Sequence, residues 1–213
     1  MMRLPIALDV QGRKCLVVGG GEIAARKATT LLDCGARVTV VAPQWCAKIE
    51  TLSCTKFRRT FSRDDCADCT LVFACTNLHE VNAEVVRAAR ELGALCNVVD
   101  GDAGDFAMMA TVRRGDITVG ISTQGGSPAL ARHLKARIEE SIGEEYAALL
   151  EILAARRAAM KSEIGTQSAR ADLWRRVLQS EVLSLLRQGK RSEAEQCVDE
   201  ILGSNPNYLA PGE

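Results

Sequence analysis

Histidine is scarce in this chain: only His79 and His133 occur in 213 residues. Neither stands at metal-ligand spacing from other donors, so no preformed metal site is expected. Net charge is lacking too, with 27 basic residues against 27 acidic ones, which argues against nucleic acid as the main partner. No run approaches the ~20 apolar residues that a membrane helix needs. The opening MMRLPIALDVQGRK has no signal-peptide plan. A cytoplasmic protein with no membrane partner is therefore expected. A second C-x-x-C pair is also missing: CADC (Cys66 to Cys69) stands alone, so it completes no zinc site and reads as a polar connector. The nine cysteines are an odd number in a long chain, which disfavours a disulfide framework. Cys15, Cys75 and Cys96 lie inside apolar, strand-like runs, where a free thiol behaves as a small hydrophobe.

What is present is enough for a sizeable core, since 47% of the residues are apolar. The length fits one α/β domain of roughly 100–120 residues plus smaller pieces. KCLVVG (14–19) has the pattern of a parallel strand covered on both faces. Ile23, Ala24, Ala28, Leu31 and Leu32 follow at helical spacing, and Gly35 stands where a helix ends. RVTVV (37–41) is a second strand and KFRRTF (56–61) holds a weak third. TLVFACT (70–76) is a fourth, followed by a helix from Glu80 to Leu92 and a fifth strand at ALCNVVD (94–100). This alternation predicts a parallel, doubly wound sheet. After Asp100 the pattern changes. Two β-rich runs flank Arg114-Gly115-Asp116 as a hairpin, and Ser127-Pro128 opens a helix as N-cap and first helical residue. The rest is helical and heavily charged; a last helix is expected from a capping box of Ser192 and Glu195, and residues 203–213 form a loose tail.

The turn Gly19-Gly20-Gly21-Glu22-Ile23-Ala24 has G-x-G-x-x-A spacing between the first strand and the first helix. Gly19 permits the tight bend, Gly21 lets the backbone approach a pyrophosphate, and Ala24 lets helix pack on strand. Free N–H groups and the helix dipole favour an anion there. Strand, turn, helix and strand arrive in the order a dinucleotide site requires. The second strand, however, ends in Val41-Ala42-Pro43-Gln44, without the acid that usually binds the adenosine ribose. No basic residue follows it to receive a 2′-phosphate, so NAD is expected over NADP. The nicotinamide is expected near Thr76 and Asn77, after the fourth strand.

LPIALDVQGRKCLVVGGGEIAARKATTLLDCGARVTVVAP, FACTN, CNVVD and GISTQGGSPALAR, in that order, resemble the precorrin-2 dehydrogenase module of siroheme synthases, and the likeness runs over residues 3–140. The resemblance implies an NAD-dependent oxidation of precorrin-2 to sirohydrochlorin. In some members of that family it extends to insertion of ferrous iron, as a substrate, to give siroheme. Asp100 matches the family's acid/base; Glu22, Ile23, Pro43 and Gln44 match its cofactor contacts. The family's loop often reads S-S-G-G-x-S-P, whereas this chain has Ser122-Thr123-Gln124-Gly125-Gly126-Ser127-Pro128. A substrate rich in carboxylates needs cations or backbone amides, for which Arg113, Arg114, Arg132, Gly125, Gly126 and Ser127 are candidates. Asp102 and Asp105 lie close enough in sequence to Asp100 to contribute charge.

The organisation expected is a Rossmann-type NAD-binding domain at 1–104, a β-hairpin and linking helix at 105–141 serving dimerisation or substrate, and a helical C-terminal region at 142–213 that forms a homodimer. Two other readings stay open on the sequence: an oxidoreductase on another substrate, and a non-catalytic module that senses NAD.

Overall fold

The computed structural model describes residues 3–99 and 104–204. The chain divides into two compact units, Met1–Met108 and Met109–Glu213.

In the first unit, five strands form one parallel sheet: β1 (Lys14–Val18), β2 (Arg37–Val41), β3 (Thr55–Phe57), β4 (Leu71–Ala74) and β5 (Leu95–Val98). Their order is β3-β2-β1-β4-β5. β4 is buried at every residue, and β1 at all but Lys14. That is why these segments read as unbroken apolar runs rather than alternating ones. Helix α1 (Glu22–Asp33) buries Ala24, Ala25, Ala28 and Leu31 on one face of the sheet. Its small residues let the helix axis come close to β1. The short helix α2 (Ala47–Thr51) follows β2. Helix α3 (His79–Glu91) buries Val85, Val86, Ala88 and Ala89 in the second apolar cluster, with Leu16, Val18 and Val72 of the sheet. Gly35 and Gly93, just past α1 and α3, take left-handed φ values of 74° and 76°, as helix-ending glycines do.

The expected third strand over 56–61 is shorter in fact. β3 stops at Phe57 because Arg59 turns away to fork onto Asp65 at 2.6 and 2.8 Å, while Ser62 N–H donates to the same carboxylate at 2.9 Å. These bonds start a short 3-10 helix (Arg63–Cys66). The reading of CADC as a polar connector is overturned here. Cys66 and Cys69 are both buried in the cluster under α3, and burial pushes the Cys66 thiol up to about 12. All nine cysteines are free.

In the second unit, β6 (Ala110–Arg114) and β7 (Ile117–Ile121) make the antiparallel hairpin around Gly115-Asp116. α4 (Pro128–Ser141) begins as expected, with Ser127 Oγ accepting from Leu130 N–H at 3.1 Å. Helices α5 (Glu144–Glu163), α6 (Gln167–Gln179), α7 (Val182–Arg187) and α8 (Arg191–Gly203) enclose a third apolar cluster built on Ile152, Met160, Val177, Val198 and Leu202. Buried Arg156 forks onto Asp199 at 2.5 and 2.7 Å and ties α5 to α8. The capping box expected of Ser192 and Glu195 does not form. The N-cap lies two residues earlier, at Lys190, and Glu195 accepts from the Arg191 guanidinium at 2.9 Å instead. The expected tail lies outside the described residues from 205 onward.

Candidate functional site

The chain moves outward from β1 first to one side and then to the other: β2 and β3 lie on one side, β4 and β5 on the other. A crevice opens at the carboxyl ends of strands at such a switch point. Here it has a volume of about 690 Å³ and is lined by the glycine turn, the end of β2, Thr60 and Phe61, the segment after β4, and Val99. Gly19, Gly21, Glu22, Ile23, Pro43, Gln44, Thr76 and Asn77 all line it. Ala24 does not. It is wholly buried between α1 and the sheet, the packing role its small size suits.

The three glycines do different work. Gly19 has a φ of 133°, which only glycine adopts readily, and a Cβ there would overlap the Cys75 carbonyl oxygen. A Cβ on Gly20 would overlap the Gln44 carbonyl oxygen, and Gly20 O accepts from Cys46 N–H at 2.8 Å. Gly20 therefore joins the turn to the loop after β2, a function the spacing alone did not reveal. A Cβ on Gly21 would meet nothing within 4 Å. The protein's own packing does not demand a glycine at 21, so the open space belongs to whatever the turn holds. Together with the unpaired N–H groups of the first turn of α1, that fits a pyrophosphate.

The wall after β4 is set by a residue the sequence reading missed. Asn82, buried on α3, accepts from Thr76 N–H at 3.1 Å and Thr76 Oγ1 at 2.8 Å, and its Nδ2 donates to Thr76 O at 2.9 Å. Thr76 Oγ1 in turn accepts from Leu78 N–H at 3.1 Å. One amide thus fixes the backbone of the segment where the nicotinamide is expected. The available signal was a polar residue amid the buried stripe of α3.

Glu22 bonds Lys48 at 2.5 Å, and the lysine draws its carboxyl below the ordinary range. Cys75 lines the crevice as a neutral group, because burial pushes its thiol up to about 11. Lys27 reaches from α1 to Asn97 Oδ1, 5.1 Å from the Phe73 ring centroid, and burial lowers its ammonium pKa. Asn97 Nδ2 donates to Phe106 O at 2.8 Å. Asp105, a candidate for local charge, is held by Arg90 at 2.9 and 3.1 Å and accepts from Cys96 N–H at 2.9 Å. Asp100 and Asp102 lie outside the described residues.

The candidates for substrate contact lie in the second unit. Arg114 donates to the carbonyls of Ile142, Glu139 and Arg113 at 2.8–3.2 Å, which gives its guanidinium a place at the end of α4. Arg132 is exposed on α4. The loop before α4 braces itself: Thr123 Oγ1 donates to Ser127 O at 3.1 Å and accepts from Ser127 N–H at 3.3 Å, with Gly125 at a φ of 84°. Thr123 so does a structural task at the position of the family's second serine. Among the described residues no cluster of three or more His, Cys, Asp or Glu side chains is placed to hold a metal ion. No helix among them is long and apolar enough to cross a membrane.

Family comparisons cover nearly the whole described chain. A model described as NAD(P)-binding matches residues 6–110, the sirohaem biosynthesis protein central model matches 114–141, and the sirohaem synthase dimerisation region matches 145–202. The siroheme synthase of Methylococcus capsulatus is 39% identical over 91% of this chain and 42% of that protein. That of Nitrosomonas europaea is 37% identical over 99% of this chain and 46% of its own length. The chain thus spans less than half the length of these curated relatives. A solved structure of SirC, a precorrin-2 dehydrogenase, is 27% identical with a TM-score of 0.76, covering 93% of this chain and all of SirC.

Proposed function

The chain belongs to the siroheme synthase family, and on that premise we propose that it oxidises precorrin-2 to sirohydrochlorin with NAD as hydride acceptor. The observation that carries this reading is the switch-point crevice with its open space at Gly21. When bound, the nicotinamide takes up the hydride that the macrocycle loses. The chain's own residues supply the rest. Gly19 and Gly21 bring backbone to the pyrophosphate, Pro43 and Gln44 border the adenosine side, and Thr76 and Asn77, braced by Asn82, border the nicotinamide. Asp100, which matches the family's acid/base in the sequence, accepts the proton released with the hydride. Arg113, Arg132 and the Gly125 amide suit the substrate's carboxylates, whereas the amides of Gly126 and Ser127, candidates on the sequence, are already bonded to Thr123. The protein works as a homodimer in the cytoplasm.

The test is anaerobic precorrin-2 with NAD, followed by the absorbance of NADH and sirohydrochlorin, with and without ferrous iron. Asp100→Ala is expected to leave NAD affinity unchanged and to lower turnover by at least ~10²-fold, the effect of losing a positioned proton-transfer group. Turnover within a few-fold of the parent would show that Asp100 is not the base. If iron is inserted, the same variant loses chelation as well, since the macrocycle nitrogens must also be deprotonated.

A further inference from the structure

The crevice lacks an acid at the end of β2, yet a carboxylate enters it from elsewhere. Val81 and Glu84, three residues apart on α3, both line the crevice, as do Phe61 and Pro43. Side chains at that spacing share one helix face. Val81 and Phe61 pack on the same apolar cluster, so Glu84 lies one turn along from a greasy wall suited to a flat base. Among the ionisable residues of the crevice, Glu22 is engaged by Lys48 and Cys75 is neutral. Glu84 has no hydrogen-bond or ion-pair partner among the described residues, and its carboxylate is exposed to the cavity. The basic groups beside Thr60 are occupied: Arg58 lies over the Trp45 ring, 4.4 Å from its centroid, and Arg59 holds Asp65.

We propose that Glu84 replaces the missing strand-end acid: its carboxylate accepts hydrogen bonds from the adenosine ribose hydroxyls and repels a 2′-phosphate, making α3 the element that selects NAD over NADP. This rests on the reading of the crevice as a dinucleotide site. A carboxylate delivered by a helix does the same chemistry as one delivered by a strand, provided that it reaches the ribose.

The experiment is equilibrium titration of the full chain with NAD, NADP and AMP, without substrate, for the parent, Glu84→Gln and Glu84→Lys. Glu84→Gln is expected to weaken NAD and AMP by about 10-fold, the loss of a bond to a charged group, while NADP is held no more weakly than by the parent. Glu84→Lys is expected to bind NADP more tightly than the parent does. Glu84 is exposed, so the melting temperature without cofactor should not move. NAD, AMP and NADP affinities all within twofold of the parent in both variants would overturn the assignment. A parent that binds neither dinucleotide would instead overturn the cofactor reading beneath it, so the two failures are told apart by the parent alone.

Discussion

Gly20 and Gly21 are neighbours with opposite reasons for being glycine. At Gly20 an added methyl overlaps the Gln44 carbonyl oxygen, and both partners are backbone, which cannot swing away. Gly20→Ala should therefore lower the stability of the cofactor-free protein by about 1–3 kcal/mol, the usual cost of overpacking. At Gly21 the methyl meets only open space, so Gly21→Ala should leave the melting temperature alone and weaken dinucleotide binding at least ~10-fold by crowding the pyrophosphate. Thermal unfolding and cofactor titration of the two variants check the pair; equal effects on both readouts would contradict it. The buried thiols make a second prediction at this scale. Burial raises Cys15, Cys75 and Cys96 to about 11 and Cys66 to about 12. In the unfolded chain these groups ionise near 9, so the folded state holds more protons above that pH. Stability is then fully present below pH 9 and lost as pH rises from 9 towards 11. Urea unfolding at pH 7, 9 and 10.5 should show this decline, and a Cys66→Ala, Cys96→Ala variant should show less of it.

Helix α3 acts at both ends. Asn82 near its start fixes Thr76, and Arg90 near its finish holds Asp105, which also binds Cys96 N–H. Asn82→Ala leaves the half-buried N–H and carbonyl of Thr76 without this partner, at a cost of about 1–3 kcal/mol. It should also weaken dinucleotide binding, because the crevice wall after β4 loses its brace. Denaturant unfolding together with NAD titration measures both; loss of stability with unchanged affinity would show that the brace serves the fold only. The elements themselves were legible: β1, β2, β4 and β5 stand within two residues of their expected bounds because buried parallel strands leave continuous apolar runs. The crevice lining at the glycine turn was legible for a related reason, since its spacing is dictated by the turn. Asn82 and Gly20 were not, because most of what they meet, Thr76 N–H and O and Gln44 O, is backbone that any residue supplies. The capping box at Ser192 failed on competition: a guanidinium four residues away outbid an amide for Glu195. Cys66 and Cys69 misled because acidic neighbours hide a chain that turns back beneath α3.

At the scale of the molecule, the dimerisation region that matches 145–202 coincides with the helices that pack around Ile152 and Met160. Their cluster is pinned by Arg156 and Asp199. α4 is different: none of its 14 residues is buried, and Leu130 and Leu134 are 49% and 39% exposed, one turn apart. We expect this row to lie at the interface between two copies. Light scattering at micromolar concentration should give twice the 23.0 kDa of one chain, and Leu130→Glu with Leu134→Glu should shift it towards the monomer. A parent that scatters as a single chain would count against the homodimer.

The contact between Gly20 and the Gln44 carbonyl has an evolutionary consequence. The glycine turn and the loop after β2 cannot drift separately, because any side chain at 20 requires the backbone at 44 to retreat first. No single codon change crosses that barrier without passing through a crowded intermediate. A lineage that remodels the loop after β2 while keeping this turn must therefore do so around a fixed stretch of backbone at 44 and 45.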